Sequence, residues 1–128
     1  MEKILVDTDV VIDFLRGHNN RIKDIFQQIE NKEIKAYISL ISVIELYSGE
    51  DTQVKEKLEV LEQVLSFLKI LNLDLNVAAI AGSIKRRYTL GLADSIIAAT
   101  AINSQIKLLT FNTKHFAQIP GLSLFKLE

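Results

Sequence analysis

Asp7 and Asp9 stand two residues apart at the end of the apolar run Ile4 to Val6, and a third acid, Asp13, follows inside a second apolar run. Two more carboxylates interrupt core-like segments. Glu45 lies within the run Ile41 to Tyr47, and Asp94 lies within Leu92 to Ala101. Burying a lone charge is costly, and buried acids need partners. No basic residue adjoins Asp7, Glu45 or Asp94 in sequence. Two carboxylates ~4 Å apart repel by a few kcal/mol at an effective dielectric near ~20. A divalent cation relieves that repulsion. Hard oxygen donors suit Mg²⁺ or Mn²⁺, ions that keep several waters and act on phosphates.

Each acid also has a purely structural explanation. Asp7 or Thr8 suits the N-cap of the helix that follows. Asp9 would favour that helix's positive N-terminal end. Gly91 to Ser95 reads as a helix start that explains Asp94 by capping, and Asn112 suits an Asx turn after a strand. Asp13 is expected to face solvent, with no role. Glu45 alone, mid-helix between apolar neighbours, has no such excuse. Three acids in apolar segments, with Asn112 just past a strand, together favour a metal site.

The elements that must position these groups alternate. Ile4–Val6 reads as a buried strand, followed by a helix to about Arg16 that stops at Gly17. Arg21 to Asn31 sets Ile22, Ile25, Phe26 and Ile29 on one helical face. Lys35 to Ser39 is a second strand, and Leu40 to Tyr47 a helix expected to be buried. Gln53 to Lys69 is amphipathic through Val54, Leu58, Leu61, Leu65 and Leu68. Ile70–Leu73 is a short strand, and Asp74 to Leu90 a helix. Ala93 to Ile102 is apolar nearly all round and should be central. Lys107–Phe111 is a strand, Asn112–Phe116 a helical turn, and Leu122–Leu127 a closing strand. Short strands, apolar on both faces, alternating with helices predict an α/β fold around a parallel sheet. Active sites of such sheets lie beyond the carboxyl ends of the strands, where Asp7 and Asn112 fall.

The chain has 128 residues, which suits one domain over 1–128. It has no cysteine, so disulfides and thiolate metal sites are excluded. A net charge of −1 does not advertise a polyanion partner, but a local basic patch or a metal can serve one. No signal peptide is expected. No apolar run reaches the ~18 residues of a membrane span, and a cytoplasmic location fits these features.

The motifs resemble the PIN domain, and most closely the VapC-type toxins of prokaryotic toxin–antitoxin pairs. The resemblance rests on Ile4 to Leu15, Ser39 to Gly49, Leu92 to Ala101, and Leu109 to Phe116 followed by Ile119 to Leu122, in that order over nearly the whole chain. It implies a three-layer fold with a central parallel five-stranded sheet flanked by helices. It implies an Mg²⁺- or Mn²⁺-dependent endoribonuclease, a homodimer, and a VapB-type antitoxin partner. Asp7, Glu45 and Asp94 match the family's core acids and would be the metal ligands. Asn112 matches a fourth catalytic position that is often Asp. Thr8 and Thr110 match hydroxyl positions beside the site, and Asp9 is expected to cap or support it. Lys85, Arg86, Arg87 and Lys114 are candidates for holding RNA. The three basic residues at 85–87 are equally explained as a helix C-terminal turn. His18 and His115 are expected to be surface or turn residues.

Four other readings compete. A phosphotransferase of the haloacid dehalogenase kind fits Asp7-Thr8-Asp9 but lacks the later acidic pair. A phosphoacceptor signalling domain would need a lysine before a proline, whereas Lys114 precedes His115. A housekeeping RNA-processing nuclease and a non-catalytic binding module of the same fold also stay open at this level.

Overall fold

Residues 1–127 are described by a computed structural model of the chain. Its four strands are β1 (Glu2–Val6), β2 (Ile34–Ser39), β3 (Lys69–Leu71) and β4 (Lys107–Leu109). Its helices are α1 (Thr8–Arg16), α2 (Asn20–Glu30), α3 (Leu40–Tyr47), α4 (Lys55–Leu65), α5 (Leu75–Arg87), α6 (Leu92–Ser104) and α7 (Thr113–Ala117), with a 3₁₀ turn at Glu50–Gln53. The strands pair in the order β3-β2-β1-β4, all parallel.

The central position of β1 follows from its sequence. Ile4, Leu5 and Val6 are fully buried, as a strand covered on both faces requires. Ile4 and Val6 face one layer, where they pack among Val10, Ile22, Phe26, Val43 and Leu61 of α1 to α4. Leu5 faces the other layer, built on Ile84, Ile97 and Phe116 of α5 to α7. The expected three-layer α/β architecture is therefore present. Residues Ser95 to Ala101 of α6 are all buried, as its all-round apolar sequence predicts.

Two expectations change. Among the described residues the sheet has four strands, not five. Leu122–Leu127 does run beside β4, with Leu108 N–H bonded to Ser123 O at 2.9 Å and Phe125 N–H to Leu108 O at 2.8 Å. It contributes only a single parallel bridge, Leu108 to Leu124, although β4 pairs with β1 at all three of its residues. The helix α3 is also not buried all round. Val43 and Leu46 are inside, while Ile44, Glu45 and Tyr47 are exposed. The expected single domain extends to residue 128, which lies outside the described residues.

Candidate active site

The strand-to-helix junctions bring the acids to the carboxyl end of the sheet. Asp7 follows β1 directly and N-caps α1, its Oδ1 accepting from Thr8 N–H at 2.8 Å. Its other oxygen, Oδ2, accepts from Thr110 Oγ1 at 2.6 Å, and its own N–H bonds to Leu109 O at 2.9 Å. Asp7 is thus pinned between β1 and the end of β4 and is only 5% exposed. Capping and site membership are not alternatives here, because the cap uses one oxygen and Thr110 the other.

Burial pushes the Asp7 carboxyl up from 3.8 to about 7, against the Thr110 hydrogen bond that lowers it, with the charges of Asp9 and Asp94 raising it further. Asp9 is also raised, first by burial. The backbone N–H groups of Val10 and Phe111 and a hydrogen bond with Asp7 oppose that rise, and the Asp94 charge adds to it. Asp94 is raised by burial and then by the Glu45 charge, while His115 lowers it. Asp94 thus acts on both Asp7 and Asp9, and Glu45 acts on Asp94, although these acids come from three separate segments. No lysine or arginine is among the groups that lower Asp7, Asp9 or Asp94.

Asp94 lies in the first turn of α6, whose N-cap is Gly91 with no side-chain cap bond. The capping explanation for Asp94 therefore fails. Glu45 is exposed rather than buried, as its place on the outer side of α3 dictates. It is held by Thr8, whose Oγ1 donates to Glu45 Oε1 at 2.7 Å and lies 2.8 Å from the Oγ of fully buried Ser42. Asn112 precedes α7 without capping it. Its backbone N–H donates to Thr110 Oγ1 at 3.0 Å, and its side-chain nitrogen lies 2.8 Å from His115 Nδ1. Thr110 thus gives its one proton to Asp7 and accepts from Asn112.

One residue, Asp13, was misjudged from sequence. His115, expected at the surface or in a turn, is exposed in α7 beside Asn112, and its charge lowers the Asp94 carboxyl. Asp9 belongs to the acid set electrostatically, and its Oδ1 is buried with no hydrogen-bond partner. Asp13, expected in solvent, is half-buried, and its Oδ1 is likewise buried without a partner. Its i, i+4 spacing from Asp9 on α1 was the available signal.

The basic candidates are all exposed. Lys85, Arg86 and Arg87 form the last turn of α5. A four-residue connection leads from there to α6, against which α5 packs, so they lie at the Asp94 end of that helix pair. Lys114 lies in the first turn of α7. A groove of about 780 Å³ opens beside Glu45, floored by Ile12, Leu46 and Leu61 and rimmed by Arg16, Asp51 and Lys57.

Among the described residues, no three His, Asp or Glu side chains form a ready-made cage for an ion. The donor set nonetheless fits an oxygen-loving divalent cation. Asp9 has an orphaned buried oxygen, and three acids hold protons more tightly than usual, first because they are buried and then because other acids adjoin them. Mg²⁺ characteristically takes one or two carboxylates and keeps its waters, so a closed protein cage is not required.

Among the described residues, no helix is long and apolar enough to cross a membrane. The PIN-domain pattern matches residues 4–122. The chain is 33% identical to a Rickettsia bellii protein named Ribonuclease VapC, over 94% of this chain and 93% of that one. It superimposes with a TM-score of 0.75 on a chain of a toxin–antitoxin complex from Klebsiella pneumoniae, at 33% identity over 93% and 94% of the two chains. The TM-score is 0.83 for a chain of DNA-bound VapBC from Salmonella typhimurium, at 26% identity and 98% of each chain. With that match along its length, the α/β sheet and the acids gathered at its carboxyl end, the chain belongs to the PIN-domain family, among its VapC-type members.

Proposed function

We propose that this chain is a metal-dependent endoribonuclease that hydrolyses RNA phosphodiester bonds, the toxin of a VapBC-type toxin–antitoxin pair, acting as one domain over 1–128. The observation that carries the chemistry is Asp7. Its carboxyl is buried at the head of β1, raised to about 7, and surrounded by acids rather than cations. A site built this way is incomplete without added positive charge. In the proposal Asp7, Glu45 and Asp94 hold Mg²⁺ or Mn²⁺, with Asp9 as a further donor through its orphaned Oδ1. Such an ion, when bound, polarises a phosphoryl oxygen and supplies a nucleophilic water at neutral pH.

The chain's own residues do the positioning. Thr110 and the Thr8 N–H fix both oxygens of Asp7. Thr8 Oγ1 orients Glu45 on its exposed helix. Asn112 supplies a neutral amide at the fourth position. Lys85, Arg86, Arg87 and Lys114 are positioned to attract phosphates at the strand ends. Partnership with a VapB-type antitoxin is supported by the similarity to toxin–antitoxin complexes, and by the apolar groove beside Glu45, which fits a partner's chain segment. A homodimer in the cytoplasm completes the proposal.

The test is cleavage of a structured RNA pool by purified protein with Mg²⁺ or Mn²⁺, against EDTA and Asp7→Asn. Cutting that disappears in both controls is expected. Equal cutting by wild type and variant would remove Asp7 from the chemistry. Metal binding without cutting any RNA would favour a binding module.

A further inference from the structure

Asn112 sits at the N-cap of α7, yet its side chain makes no cap bond there. An asparagine at that position ordinarily accepts through Oδ1 from the backbone N–H two or three residues on. Here the amide is used differently. Its Nδ2 lies 2.8 Å from Nδ1 of His115, in the first turn of the same helix. An amide nitrogen donates and does not accept. The pair is therefore a hydrogen bond only when Nδ1 carries no proton, which puts the imidazole proton on Nε2. With Nδ2 engaged, Oδ1 is the amide's remaining group, and among the described residues nothing donates to it.

That arrangement runs against the local charge. Asn112 is tied to Asp7 through Thr110, which accepts from the Asn112 backbone N–H at 3.0 Å and donates to Asp7 at 2.6 Å. The His115 ring is near enough to Asp94 that its charge, when protonated, lowers that carboxyl. Beside carboxylates that no lysine or arginine relieves, an amide free to turn presents its NH₂, because N–H donates to a carboxylate oxygen. A hard cation requires the opposite atom, the amide oxygen. A neutral imidazole nitrogen that accepts from Nδ2 holds the amide against that turn. We infer that His115 is a positioning residue for the metal site: by accepting from Asn112 Nδ2 it keeps the amide oxygen, rather than the NH₂, available to the cation or to a water on it. The role of the cation rests on the nuclease reading above.

Two measurements test this, one without metal and one with it. His115 is exposed, so substitution there leaves the core intact. In metal-free protein at pH 8, nitrogen NMR of the imidazole reads the tautomer, and the Asn112 side-chain amide signal reads its donated bond. The expected result is an unprotonated Nδ1, with an Asn112 NH₂ signal that moves in His115→Ala and returns in His115→Asn, whose side-chain oxygen can accept in place of Nδ1. A proton on Nδ1 makes His115 the donor to a turned amide and overturns the inference.

Titration calorimetry with Mn²⁺, in the absence of RNA, reads the consequence. His115→Ala should weaken binding about 10–100-fold, the usual cost of losing a partner that orients a metal site. His115→Asn should recover most of it. In an Asn112→Ala background, adding His115→Ala should cost less than about twofold more, because a residue acting only through Asn112 has nothing left to orient. Costs that add in the double variant overturn the inference, since His115 then acts independently of the amide. Unchanged affinity in His115→Ala overturns it as well. If wild type binds no Mn²⁺, this role falls together with the metal reading. If the expected pattern appears but no RNA is cut, the nuclease reading fails and the positioning role stands. If RNA is cut with Mn²⁺ while the two costs add, the nuclease reading stands and the positioning role fails.

Discussion

Thr110 and Asp7 are 103 residues apart in sequence, yet Thr110 Oγ1 donates to Asp7 Oδ2 at 2.6 Å inside the protein. This bond ties the residue that follows β4 to the residue that follows β1. It is also the largest influence holding the Asp7 carboxyl down against burial. Thr110→Val is expected to raise the Asp7 carboxyl further. At pH 8 it should cost about 1–3 kcal/mol of stability, the penalty for leaving a buried acceptor unsatisfied. Urea denaturation at pH 8 checks this, and Thr110→Ser should restore most of the loss.

Asp7 predicts an unusual pH dependence of the metal-free protein. Its folded value of about 7 lies above the unfolded 3.8. Between those values the folded state holds a proton that the unfolded state has lost, so stability falls as pH rises through that window and levels off above it. Asp9 and Asp94 are shifted the same way and steepen the fall. In EDTA, Tm should drop from pH 4 to pH 8. Asp7→Asn should flatten that drop, gain on the order of a few kcal/mol at pH 8, and abolish cleavage. A Tm that rises with pH in EDTA would contradict the buried acid set.

Cation binding must displace those protons, so the same shifts give the opposite slope for added metal. Mg²⁺ or Mn²⁺ should raise Tm more at pH 8 than at pH 6. Removing the ion with EDTA should reverse the gain. Calorimetry in two buffers of different ionisation enthalpy would count the protons released, with a larger number expected at pH 6.

Thr8 bridges helices α1 and α3 through Glu45 Oε1. Its single proton satisfies the carboxylate, and the buried Ser42 hydroxyl is placed to donate back to it. Thr8→Val removes that orientation, and metal affinity or activity should fall about 10–100-fold. Thr8→Ser keeps the hydroxyl and should recover it. Isothermal titration with Mn²⁺ separates the loss of ligand orientation from a loss of fold.

Asn112→Asp adds a carboxylate beside the acid set. Mn²⁺ should bind several-fold more tightly, because affinity follows ligand charge. The metal-free variant should also be less stable at pH 8 than wild type, through added repulsion. Titration calorimetry and thermal melting measure both on one preparation.

Much of the fold was legible because its signals are local. Ile4 to Val6 had to be a strand covered on both faces, and the apolar α6 had to be central. The fifth strand was misread because Leu122–Leu127 has a strand's alternation, while ladder pairing is decided by how the segment lies along β4, and only Leu124 pairs there. Glu45 was read as buried from its apolar neighbours. Which side of α3 meets the sheet is decided by packing, and Glu45 lies on the side left out.

The sequence by itself determined the α/β alternation, the absence of thiol chemistry, and the acids at strand and helix ends, because each depends on residue type and near neighbours. Only the tertiary structure decided that Asp9 belongs with Asp7 and Asp94, that Thr110 and Thr8 hold the acids, and that His115 meets Asn112. These are consequences of strand register and helix packing, which bring together residues up to 103 positions apart. Burial and mutual charge then set their chemistry, and neither quantity exists until the chain has folded.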